Sequence, residues 1–335
     1  MTDFYKLTPP EQSDRFKKLA AKALESWDIR SNPTLDLISH RENAVYKVET
    51  AEARYALRVH RWNYHTDNEL RSELQWMEAL SQSGIDTPEI IHTQNSEPFV
   101  VAEVEEVPEP RQVDLFGWVN GIPISDLTEK GDELIMHQNI GELMAQLHNQ
   151  ATEWIPPKNF TRHAWDTDGL LGENPVWGRF WEMKHFSQEE REKIQQVRSV
   201  ARQHLQELDQ GPETYGLIHC DFLPQNLLKD GEIVRVIDFD DCGYGWHLFD
   251  IVTSLFSYTY LPNFKDIKKA FIQGYRAFRE LTDDQLSNFD FFMLLRLMTS
   301  CGWLHTRPET ETAQLYGEGA AKSLVAAVNE FLTGN

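Results

Sequence analysis

The sequence predicts an α+β fold in two parts: a small antiparallel sheet carrying one long helix, then a larger, mainly helical part. Two observations predict it. Between residues 34 and 119 short runs of strand character surround a single helical stretch. Beyond Gly121 apolar residues recur at helical spacing, interrupted by one hairpin signal.

Taken in order, residues 11–27 read as a helix with Phe16, Leu19, Ala20 and Leu24 on one face. Segments 34–38, 44–49 and 55–60 alternate as strands do. A helix over about 66–83 sets Leu70, Leu74 and Met77 at helical spacing. Strand-like runs at 99–104 and 113–119 flank the turn-rich Glu106-Val107-Pro108-Glu109-Pro110. Farther on, Ile140, Leu143, Met144 and Leu147 line one helical face, and 188–208, 265–280, 283–305 and 309–333 read as further helices. Lys229-Asp230-Gly231 sits between two apolar runs, which predicts a β-hairpin within 227–239. The division expected is 1–117 and 118–335.

Composition narrows the function. The 335 residues suffice for a substantial core, and a formal net charge of −21 argues against nucleic acid and anionic membrane as partners. It suits a cationic or zwitterionic small molecule, and it equally serves to keep the protein in solution. Three cysteines, Cys220, Cys242 and Cys301, show neither a disulfide framework nor zinc-ligand spacing. The N-terminus lacks a signal-peptide core, and the longest apolar stretch, around 249–261, is broken by Asp250, so a cytoplasmic location is expected.

The chemistry is concentrated in Ile218-His219-Cys220-Asp221-Phe222-Leu223-Pro224-Gln225-Asn226 and in Val236-Ile237-Asp238-Phe239-Asp240-Asp241. An Asp, an Asn five residues on, and a second Asp past a hairpin match what phosphoryl transfer from Mg-ATP requires. One carboxylate, Asp221, orients the acceptor hydroxyl and takes its proton. An amide and a carboxylate, Asn226 and Asp238, hold magnesium, which prefers few protein oxygens plus water and phosphate. His219 fits a loop-bracing role better than a chemical one. Asp240 and Asp241 need cations or hydrogen bonds: a substrate amine, indirect metal support and plain bracing all satisfy them. Arg296, on an apolar helix, requires a partner, either a substrate carboxylate or an internal salt bridge.

The segment 216–228 resembles the catalytic loop of the aminoglycoside phosphotransferase family, which also takes in type II homoserine kinases, choline kinase relatives and a bacterial stress-response protein kinase. Ile237-Asp238-Phe239-Asp240-Asp241 is similar to its metal-binding segment, and Phe249-Asp250-Ile251 to the start of its buried helix. The resemblance implies a bilobal protein-kinase-like fold, with ATP and Mg²⁺ bound between the lobes. It makes Asp250 a structural residue that bonds the backbone of the catalytic loop.

On that frame, 55–60 fits the third strand of the nucleotide lobe. Ala56 and Arg58 share a strand face, placing a small side chain by the adenine and a cation at the α/β-phosphates. Glu69 and Glu73 share a helical face, and Glu73 better matches the family's partner for that cation. No glycine precedes Gly84, so the phosphate loop is expected at Ser39-His40-Arg41-Glu42-Asn43-Ala44-Val45-Tyr46, with Asn43 as its nucleotide contact. Leu115-Phe116-Gly117-Trp118-Val119 is the expected hinge, with backbone at Gly117 and Val119 meeting the adenine edge. The sequence therefore predicts a kinase of a small hydroxylated molecule, preferably an amine-bearing alcohol. A protein serine/threonine kinase and a nucleotide-binding pseudokinase are the alternatives.

Overall fold

The computed structural model describes residues 4–29, 32–41, 43–128 and 132–334. They divide into two units, Met1–Asn120 with Pro156–Thr161, and Gly121–Ile155 with Arg162–Asn335.

The first unit opens with α1 (Pro9–Ala23), started by a capping box in which the Thr8 N–H donates to Glu11 Oε2 at 2.8 Å. The proline at the first helical position gives up no hydrogen bond there. Strands β1 (Thr34–His40), β2 (Ala44–Glu49) and β3 (Arg54–Val59) follow, then α2 (Asp67–Gln82), β4 (Phe99–Ala102) and β5 (Arg111–Gly117). They form an antiparallel sheet in the order β1-β2-β3-β5-β4. Strand alternation turns Tyr46, Val48, Leu57, Val59, Val113 and Leu115 into a core closed by Phe16, Leu19 and Ala20 of α1. Each fully buried large apolar side chain contributes about 1.5–3 kcal/mol. A second capping box, Thr66 with Glu69, starts α2 and aims Leu70, Leu74 and Met77 inward. The sheet thus carries two helices of similar length rather than one.

The second unit contains β6 (Ile122–Pro123), α3 (Glu133–Glu153), β7 (Ala164–Trp165), α4 (Thr167–Leu171), α5 (Gln188–Glu207), β8 (Tyr215–Ile218), β9 (Leu227–Asp230), β10 (Ile233–Val236) and β11 (Gly243–Trp246). Then come α6 (His247–Phe256), α7 (Phe264–Phe278), α8 (Asp283–Ser287), α9 (Phe289–Thr306) and α10 (Glu311–Gly334). The expected helix over 283–305 is two helices, because Thr282 and Gln285 cap a short first turn before α9 begins. Helices α3 and α7 meet backbone to backbone: a Cβ on Gly141 would lie 2.1 Å from the Phe271 carbonyl oxygen, and one on Gly274 2.0 Å from that of Gln138. Among the described residues no helix is long and apolar enough to cross a membrane.

Two strand pairings frame the loops that carry the acidic motifs. In the β8–β11 pair Ile218 faces Gly243, and in the β9–β10 hairpin Leu227 faces Val236, with Gly231 at φ 61° in its turn. Segments 219–226 and 237–242 therefore both run from one strand pair to the other.

Candidate active site

The two connecting segments are stitched together. The Ile237 N–H donates to the Asn226 carbonyl at 2.9 Å, which sets Asp238 one residue from that bond. Asn226 Nδ2 donates to Asp221 Oδ2 at 2.6 Å and to the Asp221 carbonyl at 3.0 Å. The structure thus brings Asp221, Asn226 and Asp238 to one place. Because the Asn226 amide nitrogen is spent on Asp221, its Oδ1 is the atom left to act as a metal donor. With the Asp238 carboxylate it would offer the hard oxygen donors that magnesium prefers.

Backbone strain falls within the same two segments. Cys220 (φ 64°) and Asp238 (φ 66°) lie in the left-handed region, which side chains other than glycine enter at a cost of about 1–3 kcal/mol. Asp250 of α6 holds the first of them. Its fully buried carboxylate accepts from the backbone N–H of His219 at 3.0 Å and of Cys220 at 2.8 Å. It is held in turn by His148 of α3, whose Nε2 is 3.1 Å from Asp250 Oδ2 and whose Nδ1 is 2.8 Å from the Tyr275 hydroxyl of α7. Burial pushes the Asp250 carboxyl up and the His148 imidazole well down.

His219 braces the loop. Its Nδ1 accepts from the Asp221 N–H at 3.2 Å and its Nε2 lies 3.3 Å from the Ile237 carbonyl. That pattern needs a neutral ring protonated at Nε2, and burial lowers its pKa to about 4.

Asp240 and Asp241 are both buried, and the second is tied down: Trp177 Nε1 donates to Asp241 Oδ1 at 3.1 Å, and Trp165 Nε1 to the Asp241 carbonyl at 2.9 Å. Arg162 donates to the carbonyls of Asp240 and Cys242. The Arg296 guanidinium stands 4.7 Å over the Trp177 ring, with Nη2 4.0 Å from Asp221 Oδ1. Its Nε and Nη1 are buried and make no hydrogen bond among the described residues. Of the two partners open to Arg296, the internal carboxylate is the one seen, and it is Asp221 itself.

In the first unit, Arg58 on β3 is buried with Nη2 2.7 Å from Glu73 Oε1. Glu69, the other candidate, serves the α2 cap instead. Ala56, on the same face as Arg58, pairs with Phe116 across β5, while Leu57 and Val59 enter the core. Arg58 has a second carboxylate that sequence reasoning missed: Asp114 of β5, at 2.7 Å from Nη2 and 3.1 Å from Nε. The available signal was a lone acid inside the apolar run Val113-Asp114-Leu115. Asn43 Oδ1 accepts from the Arg61 N–H at 3.0 Å and so ties the β1–β2 turn to the end of β3. Glu42, in the expected phosphate loop, lies outside the described residues. At the expected hinge, the N–H of Gly117 donates to the Glu89 carbonyl at 2.8 Å and that of Trp118 to the Arg54 carbonyl at 3.2 Å. Those two donors are occupied within the unit, which leaves carbonyls and the Val119 backbone for an adenine edge. Val119 itself is half-buried.

The phosphotransferase enzyme family matches residues 34–283 of the chain. Amicoumacin kinase of Bacillus subtilis (strain 168) is 23% identical over 286 residues, spanning 82% of this chain and 81% of that protein. Among solved structures, a microcompartment-associated aminopropanol kinase is similar with a TM-score of 0.84 and 30% identity, over 95% of this chain and 98% of the other. An amicoumacin kinase in complex with AMP-PNP, Ca²⁺ and Ami has the same fold, with a TM-score of 0.75 and 20% identity over 93% of each chain.

Proposed function

The chain belongs to the phosphotransferase enzyme family, and on that premise we propose that it moves the γ-phosphate of ATP to a hydroxyl of a small amine-bearing alcohol. Asp221 takes the hydroxyl proton as the oxygen attacks phosphorus, and its orientation comes from Asn226 and the braced loop. Asn226 and Asp238 would hold magnesium, which would neutralise charge on the phosphates. Arg58, kept in place by carboxylates, meets the α/β-phosphates. Ala56 and the backbone at Gly117 and Val119 meet the adenine.

The observation that carries this reading is the hydrogen bond between Asn226 and Asp221 within a loop stitched to Ile237. It couples the proton-accepting carboxylate to the metal-binding segment. Support for an amine-bearing acceptor comes from the net charge of −21, from the buried acids Asp240 and Asp241, and from the likeness to an aminopropanol kinase at 30% identity.

The test is acceptor-dependent ADP release across amino alcohols, aminoglycosides and sugars, with Mg-ATP as donor. Turnover is expected with an amino alcohol, lost in Asp221→Asn, while Asp238→Ala loses metal-dependent ATP binding by calorimetry. Labelling of casein without turnover of any small acceptor would make the chain a protein kinase. ATP binding with no acceptor at all would make it a pseudokinase.

A further inference from the structure

Arg58 is held by more carboxylate than one cation needs. Asp114 meets it side-on, with Oδ1 3.1 Å from Nε and Oδ2 2.7 Å from Nη2, while Glu73 reaches it through one oxygen, Oε1, 2.7 Å from Nη2. The two acids stand on different supports. Asp114 lies directly opposite Arg58 in the β3–β5 register, inside the sheet. Glu73 stands on α2, a separate element. Both are fully buried. His60 also closes on Asp114, with Nε2 3.0 Å from Oδ2. Burial pushes the Asp114 carboxyl up, but Arg58 and His60 outweigh that and hold it below the ordinary value.

We propose that Asp114 is the positioning residue for Arg58, fixing the guanidinium to the sheet so that the grip on the nucleotide's phosphates does not depend on α2. The inference rests on the reading of Arg58 as a phosphate ligand. A carboxylate reaching through a single oxygen lets the guanidinium plane turn about the N···O line, whereas a side-on pair fixes that plane. A lysine offers one nitrogen and no plane, so it could not use both Asp114 oxygens in this way. Arginine at 58 and aspartate at 114 are therefore one device. Displacing α2 removes Glu73 but leaves Arg58 neutralised and aimed, which makes the phosphate grip constitutive instead of gated by the helix.

The experiment compares the full chain with Asp114→Asn, Glu73→Gln and Arg58→Lys. Mg-ATP affinity is read by calorimetry, and KM for ATP is read separately from kcat. Asp114→Asn is expected to weaken Mg-ATP binding and raise KM about 10- to 30-fold, the scale of one lost charge-assisted pair, with a much smaller change in kcat. Glu73→Gln is expected to cost about threefold at most, and Arg58→Lys to resemble Asp114→Asn. A Glu73→Gln loss equal to or above that of Asp114→Asn would overturn the proposal, as would an Arg58→Lys variant with wild-type affinity. Should Asp114→Asn fail to fold, the contrast between Glu73→Gln and Arg58→Lys decides alone. A wild-type chain that binds no Mg-ATP would overturn the phosphate reading and this inference with it. Wild-type binding with unchanged Asp114→Asn affinity overturns the inference only.

Discussion

Replacing Asp250 by asparagine changes one oxygen to nitrogen and should disable the loop that carries Asp221. The wild-type carboxylate serves two backbone donors at once, His219 N–H at 3.0 Å and Cys220 N–H at 2.8 Å. An asparagine can accept only one of them and confronts the other with an NH₂ group. Losing a hydrogen bond to a charged acceptor, with one buried N–H left unmet, costs about 2–4 kcal/mol in stability. The strained φ of 64° at Cys220 then loses part of what sustains it, and the neighbouring Asp221 shifts. A displacement of order 1 Å at a reacting group costs about 10²-fold in rate. The assay is steady-state ADP release with the best acceptor from the screen, beside thermal denaturation. Expected are a kcat about 100-fold lower, a KM for ATP within about threefold of wild type, and a lower melting temperature. A kcat within threefold of wild type, at unchanged melting temperature, would refute the claim that Asp250 holds the loop.

Burial governs two further outcomes. His148, His219 and His247 are all held neutral by desolvation, His219 with a pKa of about 4, whereas in the unfolded chain each titrates near 6.5. As pH falls from about 6.5 toward 4 the unfolded state takes up protons that the folded state refuses, so stability falls by up to about 1.4 kcal/mol per pH unit per histidine. Melting temperatures from pH 7.5 to 5 should drop accordingly, and a flat or rising profile would contradict the assignment. For Arg296→Met, removing a buried cation whose Nε and Nη1 make no hydrogen bond among the described residues should leave the melting temperature level or higher, while kcat falls about tenfold through loss of the charge beside Asp221. A melting temperature several degrees lower with kcat intact would reverse that reasoning.

The sequence made some features plain because their signal is local. Strand β2 was delimited to the residue, since Ala44–Glu49 alternates cleanly between core and surface. The hairpin around Gly231 and the motif from His219 to Asp238 are likewise written in adjacent residues. Strands β7, β8 and β11 were not legible, because two to four residues carry no readable period. Asp114 was missed for another reason: its meaning lies in the cross-strand residue, and register is invisible in a single chain. His148 carries no local signal, because its partners Asp250 and Tyr275 lie 102 and 127 residues away in the chain. The family pattern already favours Glu73 over Glu69, and the helix start agrees by spending Glu69 on a cap.

The crossing of α3 and α7 leaves room for hydrogen alone at Gly141 and Gly274. A single methyl there would wedge the helices apart, pulling His148 away from Tyr275 and slackening the hold on Asp250. Activity in this chain can thus be lost at two sites that bear no functional group whatever, through leverage rather than chemistry.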